Sequence, residues 1–105
     1  MSTGPARILV VDDELGMREG CRKILVSEGY EVETAGDGVA GLKVFEEKGG
    51  FAVALVDLKM PRMGGIELIQ HLRERDEDVV IFVITAYAAI DTAVEATRRG
   101  AYGYI

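Results

Sequence analysis

Three short runs carry apolar residues without a break: residues 8–11 (Ile-Leu-Val-Val), 51–56 (Phe-Ala-Val-Ala-Leu-Val) and 79–84 (Val-Val-Ile-Phe-Val-Ile). Runs of this length without polar alternation read as strands buried on both faces. Between them the spacing becomes helical. Over residues 15–28, Met17, Cys21, Ile24 and Leu25 recur on one face, and Gly29 stands where a helix stops. Residues 30–35 alternate glutamate with bulk, as an edge strand does. Asp37 is placed to cap a helix with Ala40, Val44 and Phe45 inward, ended by Gly49-Gly50. After a loop with Pro61 and Gly64, a helix is expected from Gly65 to Arg75, with Ile69 and Leu72 inward. Ile90, Ala93, Val94 and Thr97 mark a fourth helix, Gly100 ends it, and residues 101–105 begin a fifth strand. Strict alternation of strand and helix predicts parallel strands joined by right-handed crossovers.

Composition narrows the functional classes. A chain of 105 residues with 49% hydrophobic content is expected to be one domain with a sufficient core. A net charge of -6 argues against this domain gripping nucleic acid, which requires a basic face. The single cysteine, Cys21, excludes an internal disulfide and fits a reducing compartment. There is no secretory pattern at the start and no run of the ~18 apolar residues a membrane span needs. The expected location is cytoplasmic.

The strand ends carry the chemistry. The first apolar run passes directly into Asp12-Asp13-Glu14, the second into Asp57, and the third into Thr85. In open parallel sheets ligands bind beyond the carboxyl ends of the strands. If the first two runs are neighbours, three carboxylates meet at one edge, where they repel one another unless a cation joins them. Oxygen-only ligands favour a hard ion such as Mg²⁺. Asp12 and Asp13 can hold that ion, leaving Asp57 as a carboxylate able to accept a phosphoryl group. Thr85 offers a hydroxyl to a phosphoryl oxygen. Helix capping is the plainer role for aspartate, but it does not account for three at one sheet edge.

Other features have simpler explanations. His71, on the third helix, reads as a partly exposed surface residue, and Cys21 as core packing. Arg98 and Arg99 fall in the last turn of a helix, where they favour its dipole. Met60 and Met63 are either packed loop residues or a partner contact.

Taken together, residues 8–14 (Ile-Leu-Val-Val-Asp-Asp-Glu), 56–66 (Val-Asp-Leu-Lys-Met-Pro-Arg-Met-Gly-Gly-Ile), 83–86 (Val-Ile-Thr-Ala) and 100–104 (Gly-Ala-Tyr-Gly-Tyr) resemble the receiver domain of bacterial two-component response regulators. The resemblance spans essentially the whole chain and is specific as an ordered set. It implies an α/β, flavodoxin-like, doubly wound sheet of five parallel strands in the order 2-1-3-4-5, with residues 1–105 as a single receiver domain. It implies that Asp57 accepts phosphate from the phosphohistidine of a sensor histidine kinase. Asp13 and Asp57 would ligate Mg²⁺ directly, with the carbonyl of Lys59, and Asp12 largely through water. Thr85 and Tyr104 match the switch hydroxyl and the switch aromatic, and the backbone amides of Lys59 and Ala86 would hold phosphoryl oxygens. Such a module is a signalling switch that catalyses only its own phosphorylation and dephosphorylation. The segment from Thr85 and the run ending at Tyr104 are most similar to receivers of the NtrC-like class, which precede an ATPase domain and a DNA-binding domain. The resemblance thus implies transcription regulation through an output domain absent from this chain.

One departure matters. The family's lysine in a Lys-Pro pair, and the helix after it, would fall just beyond Ile105. A receiver ending there is expected to leave strands one, three and five less covered on one face, and to be less stable or to pair with a second copy. Three other functions are weighed. A haloacid-dehalogenase-type phosphatase needs its nucleophile in Asp-x-Asp at the first strand, whereas here the isolated aspartate closes a later one. A flavodoxin-like redox protein needs a hydroxyl- and glycine-rich phosphate loop where residues 12–19 are acidic. A receiver-like interaction module that is no longer phosphorylated keeps the fold without the chemistry.

Overall fold

The computed structural model describes residues 4–58, 60, 62–84, 98–101 and 103–104, the last pair through their backbone. The elements are β1 (Arg7–Val11), α1 (Leu15–Ser27), β2 (Glu31–Ala35), α2 (Gly38–Lys48), β3 (Phe51–Val56), α3 (Gly65–Arg75), β4 (Val80–Val83) and β5 (Gly103–Tyr104). The strands form one parallel sheet in the order β2-β1-β3-β4-β5. The helix expected around Ile90, Ala93, Val94 and Thr97 lies outside the described residues.

The two faces of the sheet separate by strand parity. Leu9, Val11, Ala54, Val56, Ile81 and Val83 project into one cluster with Phe45 of α2 and Leu68, Ile69 and Leu72 of α3. Leu68 and Leu72 are wholly buried there, and each such side chain contributes about 1.5–3 kcal/mol relative to exposure. The alternate residues of β1, Ile8 and Val10, are also buried but lie outside that cluster. They belong to the other face, where α1 packs on β1 and β2. On that face Val53, Leu55 and Phe82 are only half-buried. Of the strands expected to be less covered, β3 is half-buried on this face and β1 is buried, while the side chains of β5 lie outside the described residues; Phe82 of β4 is half-buried as well.

Helix boundaries follow their local chemistry. The Asp37 carboxylate accepts a 2.8 Å hydrogen bond from Ala40 N and caps α2, and Gly49, at φ 64°, ends it. In α3, Glu67 lies in the first turn and Arg73 and Arg75 in the last, each charge suiting the macrodipole. One expectation fails in α1. Spacing places Met17 and Ile24 inward, yet they are 47% and 65% exposed, and no residue of α1 is buried. Spacing identifies the apolar stripe of a helix, but burial also requires a neighbour to cover it.

Candidate functional site

The carboxyl edge of the sheet is built by backbone pairing that continues one residue past the strands. Val11 pairs with Ala35 on one side and with Val56 on the other. Beyond that register Asp12 N donates to Ala35 O at 3.1 Å, and Asp57 N donates to Val11 O at 2.9 Å. Ile84 N donates to Val56 O at 2.9 Å, which aligns the end of β4 with the same edge. The ladder thus sets Asp12 and Asp57 side by side because each directly follows a paired valine.

Asp12, Asp13 and Asp57 come together as the sequence predicts. Each offers one carboxylate oxygen, and these atoms lie within 4.8 Å of one another. Asp12 is buried, Asp57 half-buried and Asp13 exposed, so the cluster opens to solvent on one side. Two oxygens bound to one Mg²⁺ at about 2.0–2.1 Å are at most roughly 4.2 Å apart, so the present spacing needs only a small contraction. The donor set, all carboxylate oxygen, is also the right chemistry for a hard divalent cation. The residues therefore fit Mg²⁺. Lys59, Thr85 and Ala86 lie outside the described residues, as does the Tyr104 side chain, so their proposed roles remain expectations.

Asp12 is the one buried charged residue among those described, at 4% exposure. A buried carboxylate requires partners, and its Oδ1 accepts from Glu14 N at 2.9 Å. Cys21 is half-buried on α1 nearby. Burial and then the Asp12 charge push its thiol above the ordinary value, which keeps it neutral.

The loop after β3 is shaped by two close approaches that the sequence reading did not single out. A methyl group at Gly65 would overlap the Asp57 carbonyl, and one at Gly38 would overlap the Met63 carbonyl. Only glycine lets the start of α3 lie against the peptide of Asp57. A Gly-Gly pair following an Asp-containing strand end was the available signal. Met60 and Met63 pack against the core cluster, so packing accounts for both. His71 is half-buried, and its carbonyl accepts from Arg75 at 2.9 Å. Arg98 and Arg99 are exposed.

A family model described as the response regulator receiver domain matches residues 8–105. The chain belongs to that family. It is 41% identical over 101 residues to the response regulator MprA of Mycobacterium sp. (strain KMS), covering 96% of this chain and 44% of that protein. It is 36% identical over 99 residues to the regulatory protein AtoC of Escherichia coli (strain K12), covering 94% of this chain and 21% of that one. The chain thus spans less than half the length of either curated relative. Among solved structures, the CheX-CheY-BeF3-Mg complex from Borrelia burgdorferi superposes with a TM-score of 0.91. The match has 25% identity and covers 97% of this chain and 78% of that one. Among the described residues no helix is long and apolar enough to cross a membrane.

Proposed function

We propose that residues 1–105 form one receiver domain that accepts a phosphoryl group on Asp57 from a sensor histidine kinase and switches conformation to control an output domain. The observation that supports this most is the convergence of Asp12, Asp13 and Asp57 at one sheet edge, with ligand oxygens within 4.8 Å. Asp57 supplies the nucleophile: a carboxylate oxygen attacks phosphorus as the N–P bond to the donor imidazole breaks. Asp12, Asp13 and Asp57, with the carbonyl of Lys59, would hold Mg²⁺. Bound there, it would supply positive charge against the phosphoryl oxygens. Mg²⁺ is named with a CheY in the Borrelia structure, which favours the same ion here. The backbone amides of Lys59 and Ala86 would orient the phosphoryl oxygens.

Phosphorylation adds about -1.5 to -2 charge and three acceptor oxygens. In this reading Thr85 turns towards that group and Tyr104 occupies the space vacated, which biases a two-state element. The relatives are regulators more than twice as long as this chain, which favours an output region outside it. ZraR of Klebsiella oxytoca, 35% identical over 105 residues, is named a transcriptional regulatory protein, which favours a role in transcription.

Incubation with acetyl phosphate and Mg²⁺, followed by intact mass, tests the proposal. The position of the family's lysine lies outside residues 1–105, so labelling is followed over hours. Wild type should gain one phosphoryl group and Asp57→Asn none. Labelling of Asp57→Asn would place the acceptor elsewhere, and an unlabelled wild type would favour a receiver-like interaction module.

A further inference from the structure

We infer that Arg18 is a positioning residue of the acidic edge: its guanidinium fixes the peptide of Asp12 and so holds the β1–α1 connection in cation-binding shape. The inference rests on the Mg²⁺ reading above and assigns a role that the resemblance does not.

Arg18 lies in the first turns of α1 and is half-buried. Its backbone N–H makes the ordinary helical bond to Glu14 O at 2.9 Å. Its side chain turns back past that bond, and Nη1 donates to Asp12 O at 2.9 Å. One residue therefore ties two carbonyls of the short connection that carries Asp13. Asp12 is then held from three directions: by Ala35 O at its N–H, by Glu14 N at Oδ1, and by Arg18 at its carbonyl. The guanidinium also rests on the turn after β2, where a Cβ at Gly36 would lie 3.1 Å from Nη1. A single planar group thus bridges α1, the end of β1 and the end of β2.

The need for such a tie follows from the way α1 is held. None of its residues is buried, and its N-cap, Glu14, makes no side-chain capping bond. Packing alone does not fix the end of α1 that adjoins Asp13. Among the described residues Arg18 enters no ion pair, and its side chain donates to a carbonyl. Its role is accordingly geometric rather than neutralising. Loss of groups that orient metal ligands typically weakens metal binding by about 10–100-fold.

The test is a calorimetric Mg²⁺ titration of wild type, Arg18→Met, Gly36→Ala and the double variant, at low and high KCl. Gly36 has an ordinary backbone angle, so alanine there disturbs the guanidinium seat and leaves the charge in place. Arg18→Met should weaken Mg²⁺ binding about tenfold. Gly36→Ala should weaken it about threefold, and should add nothing once Arg18 is gone, because the two act through one contact. Both losses should persist at high salt, where a through-space charge effect fades. Wild-type affinity in Arg18→Met, or tighter binding from the removed charge, overturns the assignment. If Arg18→Met does not fold, a Gly36→Ala protein that binds Mg²⁺ like wild type overturns it instead. A wild type that binds no Mg²⁺ overturns the site reading itself, a different and distinguishable failure.

Discussion

The two ends of the sheet use charge in opposite ways. At the carboxyl end, Asp12, Asp13 and Asp57 bring carboxylate oxygens within 4.8 Å of one another. At the amino end Arg7 and Arg73 are each occupied with several backbone carbonyls. Arg7 Nη1 donates to Lys48 O and Gly49 O at 3.2 and 2.9 Å, and its Nε donates to Glu31 at 3.3 Å. Arg73 Nη1 donates to Asp76 O, Glu77 O and Val79 O at 3.3, 2.9 and 2.6 Å, and its Nη2 to Gly100 O at 2.7 Å. The polarity of a parallel α/β fold accounts for the difference. Helices finish at the amino ends of strands, so their unsatisfied carbonyls collect there and suit guanidinium donors. Strands finish at the other end, where side chains project beyond the ladder toward solvent and ligand. One end consolidates the fold and the other keeps like charges close, which favours a cation.

If this division holds, substitutions at the two ends should separate cleanly into binding and stability. The largest effect is expected from Asp13→Ala. Mg²⁺ affinity should fall about 100-fold or more, near 2.7 kcal/mol, when read by calorimetry. The rise in Tm that Mg²⁺ gives wild type by mass action should vanish with it. Stability without Mg²⁺ should hold or improve, since repulsion is relieved. Equal Mg²⁺ affinity in wild type and Asp13→Ala would remove the functional half of the comparison.

Arg73→Met comes next. It strands carbonyls of the α3–β4 connection and releases the turn at Gly100, so stability should drop by about 2 kcal/mol in urea unfolding. Mg²⁺ affinity should stay within about twofold, because sites this far apart act independently. A variant that keeps its stability yet loses Mg²⁺ would show that the two ends are coupled. Arg7→Met should cost less, about 1 kcal/mol: its ion pair is exposed, although it also loses a cation–π contact 5.8 Å over Phe51.

The division was only half legible in the sequence. Asp12, Asp13 and Asp57 were visible because each terminates an apolar run, and parallel pairing carries run ends to a common edge. β3 and α3 were bounded correctly because Gly49-Gly50, Gly64 and the apolar spacing punctuate them clearly. The arginine ties had no such signal. Arg73 reaches Gly100 across 27 positions, and Arg18 reaches a carbonyl six residues back, by side-chain routes that no periodicity records. Met17 and Ile24 show the complementary limit. Their spacing is that of a buried stripe, but they lie exposed because nothing among the described residues covers α1 there.

The smallest expected effect concerns backbone strain, and it is also distributed by end. The positive-φ glycines Gly29, Gly49, Gly50 and Gly100 lie in turns leading towards the amino ends of strands, where the residue type matches the conformation. At the carboxyl end, in the loop between β3 and α3, the positive φ of 66° falls on Arg62, the one non-glycine among the described residues to adopt it. For such a residue the left-handed region costs roughly 1–2 kcal/mol. What opposes its removal is an ion pair from Arg62 to Asp37 at 3.4 Å, with the arginine side chain 64% exposed. An exposed pair of this kind contributes roughly 0.2–1 kcal/mol. Glycine also gives the unfolded chain more freedom, which offsets roughly a further 0.5 kcal/mol. Arg62→Gly should therefore stabilise by about 0.5 kcal/mol, a rise of roughly 2–4 °C in Tm. A lower Tm would mean that the bond to Asp37, which caps α2, outweighs the strain, and that Arg62 joins Arg18 in consolidating the carboxyl end.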